Sequence, residues 1–202
     1  LPQRATVEGV EFLEFAARGA DAEGLEALFA SLGFHAEARH RSRDLALWRQ
    51  GEIRLLVNRS RGDFAGSAYA THGASVCDIG LRVGDASACA RRAEALGLPP
   101  YVQPRGPGEL AIPAIRGLGG SLLHFVDDGL GHVWETEFTA TGAPTEGAGL
   151  TRIDHVAQTM SYDAMLSWSL FYQAQFAMTR APMVDVIDPD GLVRSQALAA
   201  GD

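Results

Sequence analysis

The sequence has little cysteine, no long apolar run and no surplus of positive charge, and each shortage argues against a class of function. Only two cysteines, Cys77 and Cys89, occur in 202 residues. Neither is flanked by a second Cys or His pair at finger-like spacing, so neither a zinc site built on them nor a disulfide framework is indicated. The longest apolar stretches, such as "SLLHFV", fall far short of the roughly 20 residues that a membrane-spanning helix needs. The opening "LPQRATVEG" has neither an initiator Met nor an apolar signal core, so no membrane partner and a cytoplasmic location are expected. The net charge is −8 and the 17 Lys+Arg are scattered, densest at "RHRSR" (39–43). No basic face emerges, and nucleic acid is not an expected partner. Both ends read as cut: the chain starts without Met, and "SQALAAGD" stops just after a strand-like run. A piece of a longer polypeptide is therefore expected.

What is present is ordinary globular material, 47% hydrophobic and 21% charged. It is enough for one or two domains with a sizeable core. "VEGVEFLEFAA" (7–17) reads as a strand, and Asp21 as the cap of a helix whose Leu25, Leu28, Phe29 and Leu32 follow helical spacing up to a stop at Gly33. Three strand-like runs follow, "FHAEARH" (34–40), "DLALWRQ" (44–50) and "IRLLVN" (53–58), separated by turn residues.

The order then recurs. "ASVCDIGLRV" (74–83) is a strand, and Asp85 caps the helix "ASACARRAEALG" (86–97). "PYVQP" (100–104), "ELAIPAI" (109–115) and "SLLHFVD" (121–127) are strand-like. Aligning Leu32-Gly33 with Leu96-Gly97 brings Phe12 onto Val76, at the start of the second unit's first strand. The repeat is one of pattern, and two successive βαβββ units imply curved sheets around a cleft. "VWETEF" (133–138) reads as a further strand. After a Gly-, Thr- and Ala-rich linker (143–150), a third unit starts with a strand over 151–160 containing His155. Ser161 then caps a helix with Met165, Trp168, Phe171 and Tyr172 on one face. "MVDVID" and "GLVRSQAL" follow as strands joined by the turn "DPDG". The fold class is α+β, with paired βαβββ modules at about 7–60 and 74–138 in a first domain (1–142) and a truncated second domain over 151–202.

The strings "ARHRSRDLALWRQGEIRLLVN", "HGASVCDIGLRV", "GPGELAIPAIRGLGGSLLHFVD" and "GAGLTRIDHVAQTM" resemble the 4-hydroxyphenylpyruvate dioxygenase family of the vicinal oxygen chelate superfamily. The likeness runs from about Val7 to Leu198. "DHVAQTMSYDAMLSWSLFY" and "DVIDPDGLVRSQAL" are more similar to one branch, the dioxygenase-like C-terminal half of bacterial two-part 3-dehydroshikimate dehydratases, where a sugar-isomerase-like barrel precedes it. The resemblance implies a metal-free first domain and a second domain that holds Fe(II) with two His and one Glu. "IDHVAQ" matches the motif of the first His, which assigns His155 as a metal ligand; the other two ligands belong to strands beyond Asp202. "LVRSQAL" matches a motif whose serine lines the substrate cavity, which assigns Ser195. Gln158 and Thr159 depart from the family, whose dioxygenases commonly have an Asn in that strand.

Non-haem Fe(II) oxygenases need two imidazoles and a carboxylate on one face of the metal, leaving room for a chelating substrate and O₂. From the residues alone, His155 is either such a ligand or a structural histidine with its hydrogen bonds satisfied. Asp154 should point to the opposite face of a strand and reads as structural. In the first domain Phe12 occupies the position equivalent to His155, and "LLHFVDD" offers no inward Glu, so that cleft is expected to be filled by side chains. His72, placed in a turn, and His124 read as hydrogen-bonding residues. The glycines of "RGLGGSLLHFV" lead into a strand, unlike those of a phosphate loop, and read as a tight turn. Ser195 has no nucleophile elbow and suits hydrogen bonding to substrate. The Trp168, Phe171 and Tyr172 stripe reads as helix core.

Three functions stay open. In the first, the chain is part of a 3-dehydroshikimate dehydratase that makes protocatechuate in an absent barrel. The second is a true Fe(II) dioxygenase converting 4-hydroxyphenylpyruvate to homogentisate. The third is a catalytically silent module that supports folding or a homo-oligomer. The substrate implied is an aromatic 2-oxo acid or a dehydroshikimate-type molecule.

Overall fold

A computed structural model describes residues 1–189 and 191–201. Strand β1 (Val7–Ala16) is followed by helix α1 (Gly19–Ser31) and strands β2 (His35–His40), β3 (Leu45–Gln50) and β4 (Ile53–Asn58). Helix α2 (Phe64–His72) leads to β5 (Ser75–Val83), α3 (Ala86–Ala95), β6 (Ala114–Arg116) and β7 (Leu122–Val126). The chain continues through α4 (Val133–Glu137), β8 (Phe138–Ala140), α5 (Tyr162–Gln175) and β9 (Met178–Arg180). It ends in β10 (Val184–Asp188), β11 (Gly191–Ser195) and β12 (Leu198–Ala200).

Eight strands form one sheet in the order β6-β7-β5-β1-β4-β3-β2-β8. The order follows from the repeat. In each unit the first strand pairs in parallel with the last, β1 with β4 and β5 with β7. An antiparallel neighbour then extends the sheet outward, β3 beside β4 and β6 beside β7. The units join through the antiparallel pairing of β1 with β5, with Phe12 opposite Gly80 and Glu14 opposite Asp78. Helices cover one face. Phe29 of α1 is buried with Phe34, Leu55 and Val57, and Cys89 and Ala93 of α3 are buried with Ile79, Leu123 and Phe125. The other face is concave and holds the cleft.

Asp85 caps α3 as expected, its Oδ1 accepting from Ala88 N at 2.7 Å. Other boundaries differ from the sequence reading. Helix α1 is capped at Arg18, and Asp21 sits in its first turn. Its buried residues are Ala22 and Phe29, while Leu28 and Leu32 are exposed. Small alanine, not leucine, lets that helix approach the sheet. Helix α2, absent from the sequence reading, buries the small Ala65, Gly66 and Ala68. Asp63 nucleates it by accepting from Gly66 N at 3.0 Å, and His72 is its last residue, not a turn residue. "VWETEF" is mostly the short helix α4, because Trp134 turns inward to donate from Nε1 to Glu11 Oε1 at 2.9 Å. The stretches 100–104 and 109–115 form a covering loop, with only a bridge at Pro100 and the short β6. The glycines at 117–120 do form a tight turn into β7, with Gly119 and Gly120 at positive φ.

The segment 151–160 is not a strand. Its backbone is spent elsewhere: Thr151 O accepts from Glu52 N at 2.7 Å, and Ile153 packs beside Phe34 and Trp48. Helix α5 starts after Ser161, whose side chain makes no capping bond. The C-terminal end of α5 docks on α3. Buried Gln175 donates from Nε2 to Cys89 O at 2.8 Å, and Arg92 Nε donates to Ala174 O at 2.7 Å. Phe171 and Tyr172 reach the same core, and Phe176 is fully buried. Strands β10 and β11 form a hairpin, and β9 pairs with β12. Of the expected "DPDG" turn, Asp190 lies outside the described residues, as does Asp202.

Gly80 lies where the two units touch, and a Cβ there would sit 2.3 Å from the Phe12 ring. Gly80→Ala should therefore cost about 1–3 kcal/mol through forced displacement of Phe12. Urea denaturation of the variant measures this, and wild-type stability would show that the ring can move aside freely.

Candidate functional site

Side chains alternate along a strand, so Phe12 and Glu14 of β1 share the concave face. Asp78 of β5, Asn58 of β4 and His124 of β7 line that cleft with them. The walls are Leu45, Leu56, Trp134 and Phe138, and the enclosed space is about 460 Å³. The cleft of the first domain is thus not filled by side chains. The aromatic residues Phe12, Trp134 and Phe138 border the hollow without closing it.

The polar floor is crowded with acid. Glu14 and Asp78 are cross-strand neighbours. Asp78 is 4% exposed. Its Oδ2 lies 2.6 Å from His124 Nδ1, while its Oδ1 is buried with no hydrogen-bond partner. Glu14 Oε1 accepts from Asn58 Nδ2 at 2.8 Å. Desolvation, then the charge of Asp78, pushes the Glu14 carboxyl up to about 7. Desolvation alone would lower the His124 imidazole, but the Asp78 carboxyl beside it overcomes this and the net shift is upward. The floor therefore holds an imidazole whose charged form is favoured by its carboxyl neighbour, beside a Glu14 carboxyl that keeps its proton up to about pH 7. His124, expected to be a hydrogen-bonding residue, faces Asp78 at ion-pair distance, with its Nδ1 outside hydrogen-bond geometry.

The cleft is covered by the loop from Tyr101 to Ile112, which two carboxylates tie down. Glu109 accepts from Arg43 Nε at 3.1 Å, Ser42 Oγ at 2.7 Å and Gly106 N at 2.9 Å. The Arg43 hydrogen bonds hold its carboxyl down to about 2. Glu137 accepts from Leu110 N at 2.6 Å and pairs with His40 Nε2 at 3.0 Å. His40 Nδ1 accepts from the amides of Ser42 and Arg43, which places its ring proton on Nε2, facing Glu137. Arg43, Tyr101, Gln103, Arg105 and Glu109 also border a wider outer groove, whose far side is formed by Val156–Thr159.

The two residues expected from the resemblance lie elsewhere. The His155 side chain is 80% exposed, and its Nδ1 meets only the neighbouring Asp154 Oδ2, at 3.1 Å. Asp154 therefore does not point away from it, because the segment is not a strand. Ser195 is exposed at the end of β11, opposite Val184. The structure does not bring the two together. Among the described residues, no group of three His, Cys, Asp or Glu side chains is placed to hold a metal ion. The donors present do not fit an Fe(II) triad: a single exposed imidazole lacks its partners. Both cysteines are free and buried, and burial raises both thiols, Cys89 to about 11. Neither is a reactive thiolate.

Sequence reasoning passed over Glu14, Asp78, Arg43 and Glu109. The first two carried a readable signal, a carboxylate at an inward position of an otherwise apolar strand, in "VEFLEF" and "VCDIGL". Arg43 and Glu109 meet across a loop that no periodicity describes.

The Glu14 shift has a signed consequence. The folded chain binds that proton more tightly than the unfolded chain, so stability falls as pH rises from about 4.5 through about 7. Glu14→Gln should flatten the slope and gain about 2 kcal/mol at pH 8, as read by urea denaturation at pH 5 and 8. Equal slopes in both proteins would mean that Glu14 is ionised throughout. Glu109 acts with the opposite sign, stabilising above about 4.5 and losing that contribution as pH falls toward about 2. Arg43→Met should leave its carboxylate buried and unpaired, costing about 1–3 kcal/mol at pH 7 and speeding proteolysis within 101–112. An unchanged digestion pattern would show that the loop is held by other contacts.

Residues 3–139 match the family described as hydroxyphenylpyruvate dioxygenase, N-terminal. The chain is 38% identical over 199 residues to 3-dehydroshikimate dehydratase of Pseudomonas putida, covering 98% of this chain and 31% of that protein. It is 35% identical to 4-hydroxyphenylpyruvate dioxygenase of Pseudomonas sp., covering 96% and 55% respectively. Among solved structures, a xylose isomerase-like TIM barrel/4-hydroxyphenylpyruvate dioxygenase fusion protein superposes with a TM-score of 0.84 at 36% identity, over 98% of this chain and 31% of that one. The chain thus spans about a third of the dehydratases it matches and about half of the dioxygenase. With the paired βαβββ modules and this match over both of them, the chain belongs to the hydroxyphenylpyruvate dioxygenase N-terminal family.

Proposed function

We propose that these residues form the dioxygenase-like part of an aromatic-catabolism enzyme of the 3-dehydroshikimate dehydratase kind. In this reading, 3-dehydroshikimate becomes protocatechuate in a barrel domain outside the 202 residues. The observation that carries the reading is coverage: 98% of this chain aligns with only 31% of the dehydratase. The likeness to a barrel–dioxygenase fusion of the same proportions supports it.

Residues 151–202 are then the opening of a second domain, with His155 as one candidate ligand of a divalent metal, Fe(II), and Ser195 as a candidate wall of its substrate cavity. The exposed apolar side chains of Leu166, Leu170, Val184, Val186 and Ile187 support this, since a finished module would bury such a face. No helix among the described residues is long and apolar enough to cross a membrane.

A true 4-hydroxyphenylpyruvate dioxygenase is the second reading, favoured by the 35% identity across 96% of the chain. The test is the intact mass of the protein from its source, followed by two assays on that protein. The dehydratase reading expects a mass well above 21.5 kDa and release of an aromatic product from 3-dehydroshikimate without oxygen uptake. Oxygen uptake with 4-hydroxyphenylpyruvate and no dehydration would establish the second reading instead.

A further inference from the structure

The cleft of the first domain is a built site that the proposed function leaves unused. Its floor offers an acceptor with nothing to accept, Asp78 Oδ1, buried and unpartnered at the edge of a cavity of about 460 Å³. Beside it stands His124, whose Nδ1 faces Asp78 Oδ2 at 2.6 Å. Its side chain remains 21% exposed, and no hydrogen bond to Nε2 is found among the described residues. Glu14 completes the floor, its Oε1 held by Asn58. Above the floor, Phe12 meets Trp134 edge-on at 5.8 Å, and Trp134 lies 5.5 Å from Phe138, so the walls present ring faces and edges.

Of the other charges in the lining, Arg43 and His40 are already paired, while Arg105 at the mouth has no ion-pair partner among the described residues. Arg43 is bound to Glu109, and His40 to Glu137. On the floor, the unsatisfied capacity lies at Asp78 and the open edge of His124, with Arg105 standing at the mouth.

The kind of group that fits follows from the charge. Two carboxyl groups share the floor with one imidazole, and the Glu14 carboxyl, pushed up to about 7, keeps the negative charge there low. A floor of low charge with an acceptor and an imidazole side by side suits a group that donates and accepts at once. A hydroxyl does this and an ammonium does not. Two adjacent hydroxyls would reach Asp78 and His124 together, and a ring carrying them would lie among Phe12, Trp134 and Phe138. Burying Asp78 Oδ1 without a partner costs free energy that such a ligand returns. The mouth, where Tyr101 and Arg105 border both cavity and outer groove, gives a path inward past the loop.

We propose that the cleft between β1 and β5 binds a small ring bearing vicinal hydroxyl groups, with Asp78 accepting from one and the His124 imidazole hydrogen-bonding the other. The site lies in the family's N-terminal domain and does not depend on the dehydratase reading.

The test is calorimetric titration of the whole chain with catechol, with cis-1,2-cyclohexanediol and with benzylamine. Saturable binding of either diol supports the proposal, and which diol binds tells an aromatic ring from a saturated one. Asp78→Asn should weaken that binding at least tenfold, while Glu23→Gln on the exposed side of α1 should leave it unchanged. Because Asp78→Asn removes an ion pair and could unfold the chain, the imidazole nitrogen resonances of His124 provide a second readout in the wild-type protein. They should shift on adding the bound diol. Absence of saturable binding to both diols, tighter binding of benzylamine, or diol binding that leaves His124 unmoved would each overturn the proposal.

Discussion

The antiparallel contact between β1 and β5 is the constraint on which the rest of the molecule depends. It converts two separately wound βαβββ units into one eight-stranded sheet and sets their concave faces against a common space. It also forces two carboxylates, Glu14 and Asp78, into opposition at the sheet's centre, where like charges would repel. The conflict is resolved locally: His124 pairs with one, Asn58 serves the other, and a proton is retained near neutral pH. Above them, Phe12 occupies the space that Gly80 leaves by carrying no side chain, and its ring borders the cavity. Sheet closure, floor chemistry and one wall of the cavity are therefore consequences of one pairing register.

Much of this was legible in the sequence, for a definite reason. The repeated unit has short apolar strands, a helix stopped by glycine and Asp85 as a cap, and each is a local signal with a local cause. The family, too, could be read from the strings around Arg43, Asp78 and His124. What failed to show were features set by contacts distant in sequence. Helix α2 is short and buries mainly the small Ala65, Gly66 and Ala68, so its apolar face is faint in the sequence, and Asp63 caps it. The 133–138 run alternates like a strand, yet it turns into a helix because Trp134 finds Glu11 on β1. The 151–160 run alternates as well, but its hydrogen bonds go to Glu52 and its apolar Ile153 to the first unit's core.

The site divides along the same line. His155 and Ser195 were reachable only through resemblance, and the geometry around them is exposed and unassembled. Glu14 and Asp78 carry a signal in alternation alone, each a carboxylate at an inward position of an otherwise apolar strand. Arg43 and Glu109, separated by a long stretch of chain, had no signal in one sequence.

The docking of α5 on α3 has a kinetic side. Cys89 lies beneath that junction, with Gln175 Nε2 on its carbonyl at 2.8 Å and on its sulfur at 3.2 Å. A thiol sealed in this way reacts only during excursions in which the helix lifts away, so its modification rate scales with the population of that opened form. The residue is thus a built-in clock for how tightly the segment after residue 160 is fastened to the first domain.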